Sequence, residues 1–388
     1  MPDSGVKKNK ILIASPDASL KVVSKTPIGS PVVIELLEVE LASYGYQAEY
    51  WSPDAEGLLQ FVRNIPRLVQ RVRQSNAELI HLFLMAPSLT WVSQLVAWRT
   101  HIPVLTTFST HCHEGLGWLL HQIRKAPPEI PWYLFKYAAY HPFWVKATRH
   151  FGSKSIYSVG SNFQAEQLMR IGIEESKVVV VPNMADSLKR NSLNPRPGGE
   201  FRIGFLGHFT PAKGWDILLQ AFERVAEEIK DAELVLAWSG RGKSSLVKSA
   251  IQASRHKDRI NLVGVVDRWE CYNQVAVLVQ PYRHLIGTQL YPNTLLEAIS
   301  VGVPMITVNL RPLDELLSGG AACLVEPLNV SELAEAIVKL YENPEMRESQ
   351  LAVQKARTHN YSAPTVGRAY HNIYRKLLYE GQSTSQSV

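Results

Sequence analysis

The chain has 388 residues, 46% of them hydrophobic and 20% charged, with 41 Lys+Arg against 35 Asp+Glu and a net charge of +6. That length exceeds one ordinary domain and leads us to expect two of roughly 180 residues each, and the composition is that of a water-soluble globular protein. No apolar run reaches the ~18 residues that span a bilayer, and three scattered cysteines without metal-ligand spacing (Cys112, Cys271, Cys323) fit a reducing cytoplasm better than a disulfide framework.

The opening MPDSGVKKNKILIASPD has too few consecutive apolar residues for a signal peptide and reads as a first β-strand. A helix over PVVIELLEVELASYG follows, ending near Gly45. QAEYWS, ELIHLFL and PVLTTF are short strands separated by helical patterns, and KSIYSVG, NFQAEQLMRIG and KVVVVPN repeat strand, helix, strand. Polar, Pro and Gly residues interrupt the alternation at 186–200, which we read as a linker. The order then restarts with FRIGFLG, a helix over DILLQAFERVAEEI, AELVLAWSG, a helix around SSLVKSAIQAS, and the strands RINLVG, AVLVQPY and PMITV.

Continuous Val/Ile/Leu strands alternating with helices point to parallel sheets covered on both faces. The sequence therefore predicts an α/β protein of two doubly wound domains, 1–185 and 201–362, with a ligand cleft between them outside the carboxyl ends of the strands. A terminal amphipathic helix (363–380) follows, predicted to return to the first domain, and then a disordered tail (381–388). Residues 1–199 hold 21 Lys+Arg against 15 Asp+Glu, whereas 200–388 hold 20 of each. The first half thus carries the whole excess and favours an anionic partner, unless this is solvated charge without a role.

Three features of the second half suggest a phosphorylated ligand. In FLGHFTPAKGWDILLQAF a strand ends at Gly207, a loop carries His208 and Lys213, and a helix follows Gly214. A cation beside a helix start suits phosphate, although a lone lysine is more often solvated. In GTQLYPNTLLEAISVGVP, Pro292 opens a helix that Gly302 stops, leaving backbone N–H groups at Asn293, Thr294 and Leu295 free to face an anion. Glu297 on that helix can accept hydrogen bonds from a pair of sugar hydroxyls, or simply favour the positive helix end. Together they suggest a nucleotide sugar.

The order of these pieces resembles a retaining glycosyltransferase of the GT-B fold, in the large family 4 (group 1) of nucleotide-sugar enzymes. The resemblance runs through Gly29-Ser30 with ELLEVELASYGYQ, Ser161, Gly172 and VVVVPNMAD (178–186) in the first half. In the second it runs through 205–222, INLVG, the QP at 280–281, PNTLLEAISVGVP (292–304) and DELL (314–317). It implies that Gly29 and Ser30 lie near the donor diphosphate, that Lys213 neutralises that diphosphate, and that Glu297 binds the ribose hydroxyls. Gly207 and the 293–295 helix start belong to the same donor set.

The resemblance also implies retention without a protein nucleophile and without a cofactor. No metal is implied either, and no Asp-x-Asp pair is present to hold one. Four positions depart from the family pattern. Gln289 replaces the first acid of a two-glutamate signature, His208 an arginine, and Met184 a glycine. Ser109 stands where a histidine is common, with His111 close behind. A glutamine still bonds a sugar hydroxyl but cannot balance a developing positive charge. A degenerate subunit that binds nucleotide sugar in a regulatory or scaffold role is the alternative to an active enzyme.

The acceptor, a glycan, a lipid-linked group or a small molecule, is expected on the first domain. There the segment 117–151 interleaves aromatics such as Trp118, Trp132 and Trp144 with bases such as Arg124, Lys136 and Lys146. This mixture fits a helix pair on an anionic membrane surface, a bed for a lipid-linked acceptor, or a core with a basic solvent face. No nucleic-acid motif accompanies it.

Overall fold

The computed structural model describes residues 9–15, 30–52, 63–84, 89–110, 120, 147–148, 151, 154–185, 201–264, 267–285 and 288–379. The linker 186–200, the tail 381–388, nearly all of the aromatic and basic segment 117–151, Gly29 and His111 lie outside them.

The chain divides into two compact units, with boundaries at Pro182/Asn183 and Ala363/Pro364. In the first, strands β1 (Asn9–Ala14), β2 (Tyr46–Trp51), β3 (Leu79–Leu84), β4 (Val104–Phe108), β5 (Ser155–Val159) and β6 (Val178–Val180) form a parallel sheet in the order β2-β1-β3-β4-β5-β6. Helices α1 (Ser30–Ser43), α2 (Ile65–Ser75), α3 (Thr90–Thr100) and α4 (Asn162–Arg170) connect them. The amphipathic pattern of α2 buries Leu68 and Val72 against Leu12, Ile80 and Leu82 of the sheet, with Val92 and Val96 of α3 in the same cluster. Each such side chain contributes about 1.5–3 kcal/mol by leaving water. Ser161 caps α4 by accepting from Gln164 N–H, and the Gln164 side chain accepts from Gly160 N–H at 2.8 Å. The same amide donates to the Thr110 carbonyl at 3.0 Å, tying the start of α4 to the loop after β4.

In the second unit, β7 (Phe201–Phe209), β8 (Ala232–Gly242), β9 (Ile260–Val263), β10 (Val277–Gln280), β11 (Met305–Val308) and β12 (Cys323–Val325) are also parallel, ordered β12-β11-β10-β7-β8-β9. Counted within the unit this is 3-2-1-4-5-6 read from the β9 edge, the doubly wound order of a dinucleotide-binding sheet. Helices α5 (Trp215–Glu228), α6 (Ser244–Ala253), α7 (Arg268–Gln274), α8 (Asn293–Val301), α9 (Leu313–Leu317), α10 (Val330–Glu342) and α11 (Pro344–Arg357) complete it. Strand order reverses between β7 and β10, so the crevice for a ligand opens where these two neighbours end.

The last helix, α12 (Ala363–Tyr379), packs on the first unit through aromatic residues. His81 of β3, fully buried, meets Tyr374 OH at Nδ1 (2.7 Å) and Thr107 Oγ1 at Nε2 (2.8 Å), and Tyr370 OH lies 3.3 Å from the same threonine oxygen. Tyr46 OH lies 3.1 Å from His371 Nδ1. At Gly367 the helix runs so close to α1 that a Cβ would meet Glu40 Cβ at 2.7 Å, leaving no room for a larger residue.

Candidate functional site

The β7/β10 switch point brings together most of the second-half residues singled out in the sequence. β7 continues past Gly207 to Phe209, so His208 belongs to the strand and not, as expected, to the loop. The reason is that pairing with β8 resumes beyond an irregularity: Gly207 pairs with Trp238, and Phe209 with Gly242. A break of this kind re-aims the side chain it carries, here the partly buried His208. A Cβ at Gly207 would meet the Phe205 ring at 3.7 Å, an ordinary van der Waals contact, so the position does not require glycine on steric grounds.

Two loops leave the switch point, and they are joined closely. After β7 a single turn, Pro211–Lys213, ends at Gly214 with φ +71°. A Cβ there would lie 1.8 Å from the Pro281 carbonyl oxygen in the loop after β10. Arg283 N–H donates to the Ala212 carbonyl at 3.0 Å, and the Arg283 guanidinium forms an ion pair with Asp216. Lys213 Nζ sits 4.8 Å from the centre of the Tyr282 ring, a cation–π contact. Part of the Lys213 surface remains accessible, yet enough protein surrounds its ammonium that desolvation lowers its pKa to about 8. Tyr282 OH then lies 3.4 Å from Thr294 Oγ1, linking the lysine to the first turn of α8.

Helix α8 begins after Pro292 and stops at Gly302, whose φ is +76°. Its start is pinned from the VPN segment, because Asn183 Nδ2 donates to the Tyr291 carbonyl (3.2 Å) and to Asn293 Oδ1 (3.3 Å). Leu295 N–H is committed to the Pro292 carbonyl at 3.0 Å, so it is not the free donor expected from the sequence. A tight first turn takes it up. Gln289 is partly buried and stands in the connection that leads from β10 into this turn.

Glu297 occupies the second turn of α8 and is only 5% exposed. Arg268 Nε lies 3.1 Å from its Oε1, and Tyr272 OH donates to its Oε2 at 2.8 Å. The Tyr272 hydroxyl is also 3.2 Å from the Thr294 carbonyl oxygen, the longer of its two contacts. Burial, and then the Glu297 charge, raise the Tyr272 pKa far above its ordinary value, so it acts as a donor. Sequence reasoning found Glu297 but neither partner. The signal was an Arg and a Tyr four residues apart on one helix face.

In the first unit, Ser109 directly follows β4 and is half-buried, and Ser30 is the first residue of α1. Among the described residues no group of three or more His, Cys, Asp or Glu side chains could hold a metal ion, and no helix is long and apolar enough to cross a membrane.

Residues 200–343 match the family model described as "Glycosyl transferases group 1". The matched stretch lies within the second unit, and the likeness to that family is confined to it. That stretch holds His208, Lys213, Gln289 and Glu297 of the switch-point site just described. Over 217 residues the chain is 29% identical to the phosphatidyl-myo-inositol mannosyltransferase of Mycobacterium leprae, covering 53% of this chain and 55% of that protein. Over 155 residues it is 25% identical to the 2-deoxystreptamine N-acetyl-D-glucosaminyltransferase of Niallia circulans, covering 39% of each. The chain thus matches about half or less of the length of these relatives.

Among solved structures it is similar to a glycosyltransferase from Rickettsia africae, with a TM-score of 0.72 at 16% identity over 96% of this chain and 100% of that one. Anabaena HepE in complex with UDP-glucose gives 0.66 at 13% identity over 95% and 99%. At such identities the likeness speaks for the fold: two Rossmann-like units of the GT-B kind.

Proposed function

We propose that this protein is a retaining glycosyltransferase that moves a sugar from a nucleoside-diphosphate sugar to a hydroxyl of a glycan, a lipid-linked group or a small molecule. The observation that carries this reading is the joining of Lys213 to the α8 start through Tyr282, at the reversal of strand order. Negative charge grows on the diphosphate as the bond to sugar C1 breaks. A cation and helix-end dipoles already aimed at that place lower the barrier without reorganising. His208 adds a hydrogen-bond donor from the end of β7.

The acceptor hydroxyl attacks C1 on the face that the diphosphate leaves. The new C1–O bond forms as the old one breaks, and the hydroxyl proton passes to the departing phosphate oxygen. No protein nucleophile is needed, and the metal-independence implied by the resemblance is part of the proposal. Gln289, in the connection into α8, holds a hydroxyl of the transferred sugar. Ser30, Ser109, His111 and the glycine at position 29 serve the first unit's share of donor and acceptor recognition. Peripheral contact with an anionic membrane, through 117–151, would bring a lipid-linked acceptor within reach.

A screen of UDP-, GDP- and ADP-sugars tests the reading by measuring free nucleotide release and sugar transfer, with Lys213→Ala and Glu297→Ala as controls. Transfer from at least one donor, lost in both variants, is the expected result. Nucleotide binding without turnover on any donor would replace the enzyme by a nucleotide-sugar-binding subunit.

A further inference from the structure

We infer that Arg268 and Tyr272 are positioning residues that aim Glu297 and thereby set a preference for ribonucleoside over 2′-deoxyribonucleoside diphosphates. This rests on the reading of Glu297 as the acid that meets the donor ribose. Three observations carry it. Arg268 and Tyr272 stand four residues apart on α7, so one face of that helix presents both to α8. Each addresses a different oxygen of the same carboxylate, Nε at 3.1 Å from Oε1 and the hydroxyl at 2.8 Å from Oε2. All three side chains are buried: Arg268 is 9% exposed, Tyr272 0% and Glu297 5%.

A buried carboxylate stays charged only when a cation or several donors compensate the lost water. Arg268 supplies the cation and Tyr272 a donor. A carboxylate has about four acceptor sites, and fixing one contact on each oxygen also fixes the plane in which the others lie. A vicinal pair of ribose hydroxyls requires such a fixed plane, because two hydrogen bonds must be satisfied at once. Removing the 2′-hydroxyl breaks one of them.

The positioning groups are themselves well held. Asp267 caps α7 by accepting from Trp269 N–H at 2.8 Å, and the Arg268 guanidinium lies 4.9 Å from the centre of the Trp269 ring. The Tyr272 hydroxyl, through the Thr294 carbonyl, also touches the first turn of α8. The arginine–tyrosine pair therefore couples the carboxylate to the same helix start that faces the diphosphate.

The test is calorimetric titration of the full-length protein with UDP, GDP and ADP, each beside its 2′-deoxy analogue, for the native chain and for Arg268→Gln, Arg268→Lys and Tyr272→Phe. The native chain is expected to bind at least one ribonucleotide about tenfold or more tighter than its deoxy analogue, the effect of one hydrogen bond to a charged group. In Arg268→Gln that ratio falls toward one, because ribonucleotide affinity drops while deoxynucleotide affinity holds. Tyr272→Phe and Arg268→Lys give intermediate ratios, and both keep the test open if Arg268→Gln does not fold. A ratio unchanged in the folded variants overturns the positioning role and leaves the proposed function standing. Absence of binding of every nucleotide to the native chain overturns both.

Discussion

Gly214 and Pro281 touch so closely that the glycine's missing side chain is what lets the two loops of the switch point meet: an added Cβ would lie 1.8 Å from the proline carbonyl oxygen. The left-handed backbone at Gly214, φ +71°, is a second reason for glycine there. Gly214→Ala is accordingly expected to displace Lys213 from Tyr282 and to weaken nucleoside-diphosphate binding by tenfold or more. The left-handed backbone alone costs of order 1–3 kcal/mol and the clash with the Pro281 backbone adds to it, so a lowered melting temperature is expected beside the loss of affinity. Titration calorimetry beside a thermal melt checks both halves of the statement.

Lys213 makes the site pH-sensitive. With its pKa lowered to about 8 from the ordinary 10.5, the empty protein loses that charge as pH rises through about 8. Nucleotide affinity should fall over the same range, and binding near pH 8 should take up a proton as the diphosphate raises the lysine pKa. The stability of the empty protein runs the other way. Between about 8 and 10.5 the unfolded chain holds the proton that the folded one has released, so this group's contribution grows with pH. Titrations in buffers of different ionisation enthalpy read the proton uptake directly, and an affinity flat from about pH 7 to 9.5 would contradict the assignment.

Gln289 can bond a sugar hydroxyl but carries no charge to set against the positive charge that develops at C1. Gln289→Glu is expected to raise turnover about tenfold with the native donor, below the roughly 10²–10³-fold that one fully preorganised electrostatic group supplies. Initial rates at saturating donor measure it. A fall in rate would mean that the amide's donor hydrogens matter more than the missing charge.

Tyr374→Phe keeps the ring and removes the hydroxyl that meets His81 Nδ1. A buried polar atom left without its partner costs about 1–3 kcal/mol, readable as a lower urea midpoint for the first unit. Burial also lowers the His81 pKa to about 3 from 6.5. The unfolded chain therefore binds this proton first on acidification. Stability from this group is complete above pH 6.5 and is lost as pH falls toward 3. A hydrophobic substitution at His81 should flatten the acid limb of a pH–stability curve.

Much of this architecture could be read from the chain because parallel strands announce themselves: ILIA, LIHLFL, VLTTF and VLVQ are buried on both faces and spell nearly unbroken apolar runs. β12, three residues long, gives no such run and escaped notice. In the sequence His208 reads as a loop residue because the glycine before it resembles a strand end, and only the pairing partner across the break, Gly242, keeps the strand going. Arg268 and Tyr272 are inconspicuous in the sequence for a different reason. Their significance lies in meeting a residue 25 or more positions away, and sequence spacing reports contacts along one helix, not between two.

The route of the chain bears on synthesis. The first unit is assembled from two well-separated stretches of the chain, since α12 supplies Tyr370 and Tyr374 to a cluster built on β3 and β4. Among the described residues the second unit comes from one later stretch, Asn183–Ala363, and the two ends of that stretch lie side by side, with Ala185 N–H donating to the Tyr361 carbonyl at 2.8 Å. Emerging from the ribosome, the earlier-made sheet must wait for α12, while the later-made second unit has all it needs sooner. A nascent chain stalled before residue 364 would thus leave His81 without its tyrosine, exposed to the chaperones that meet unfinished domains.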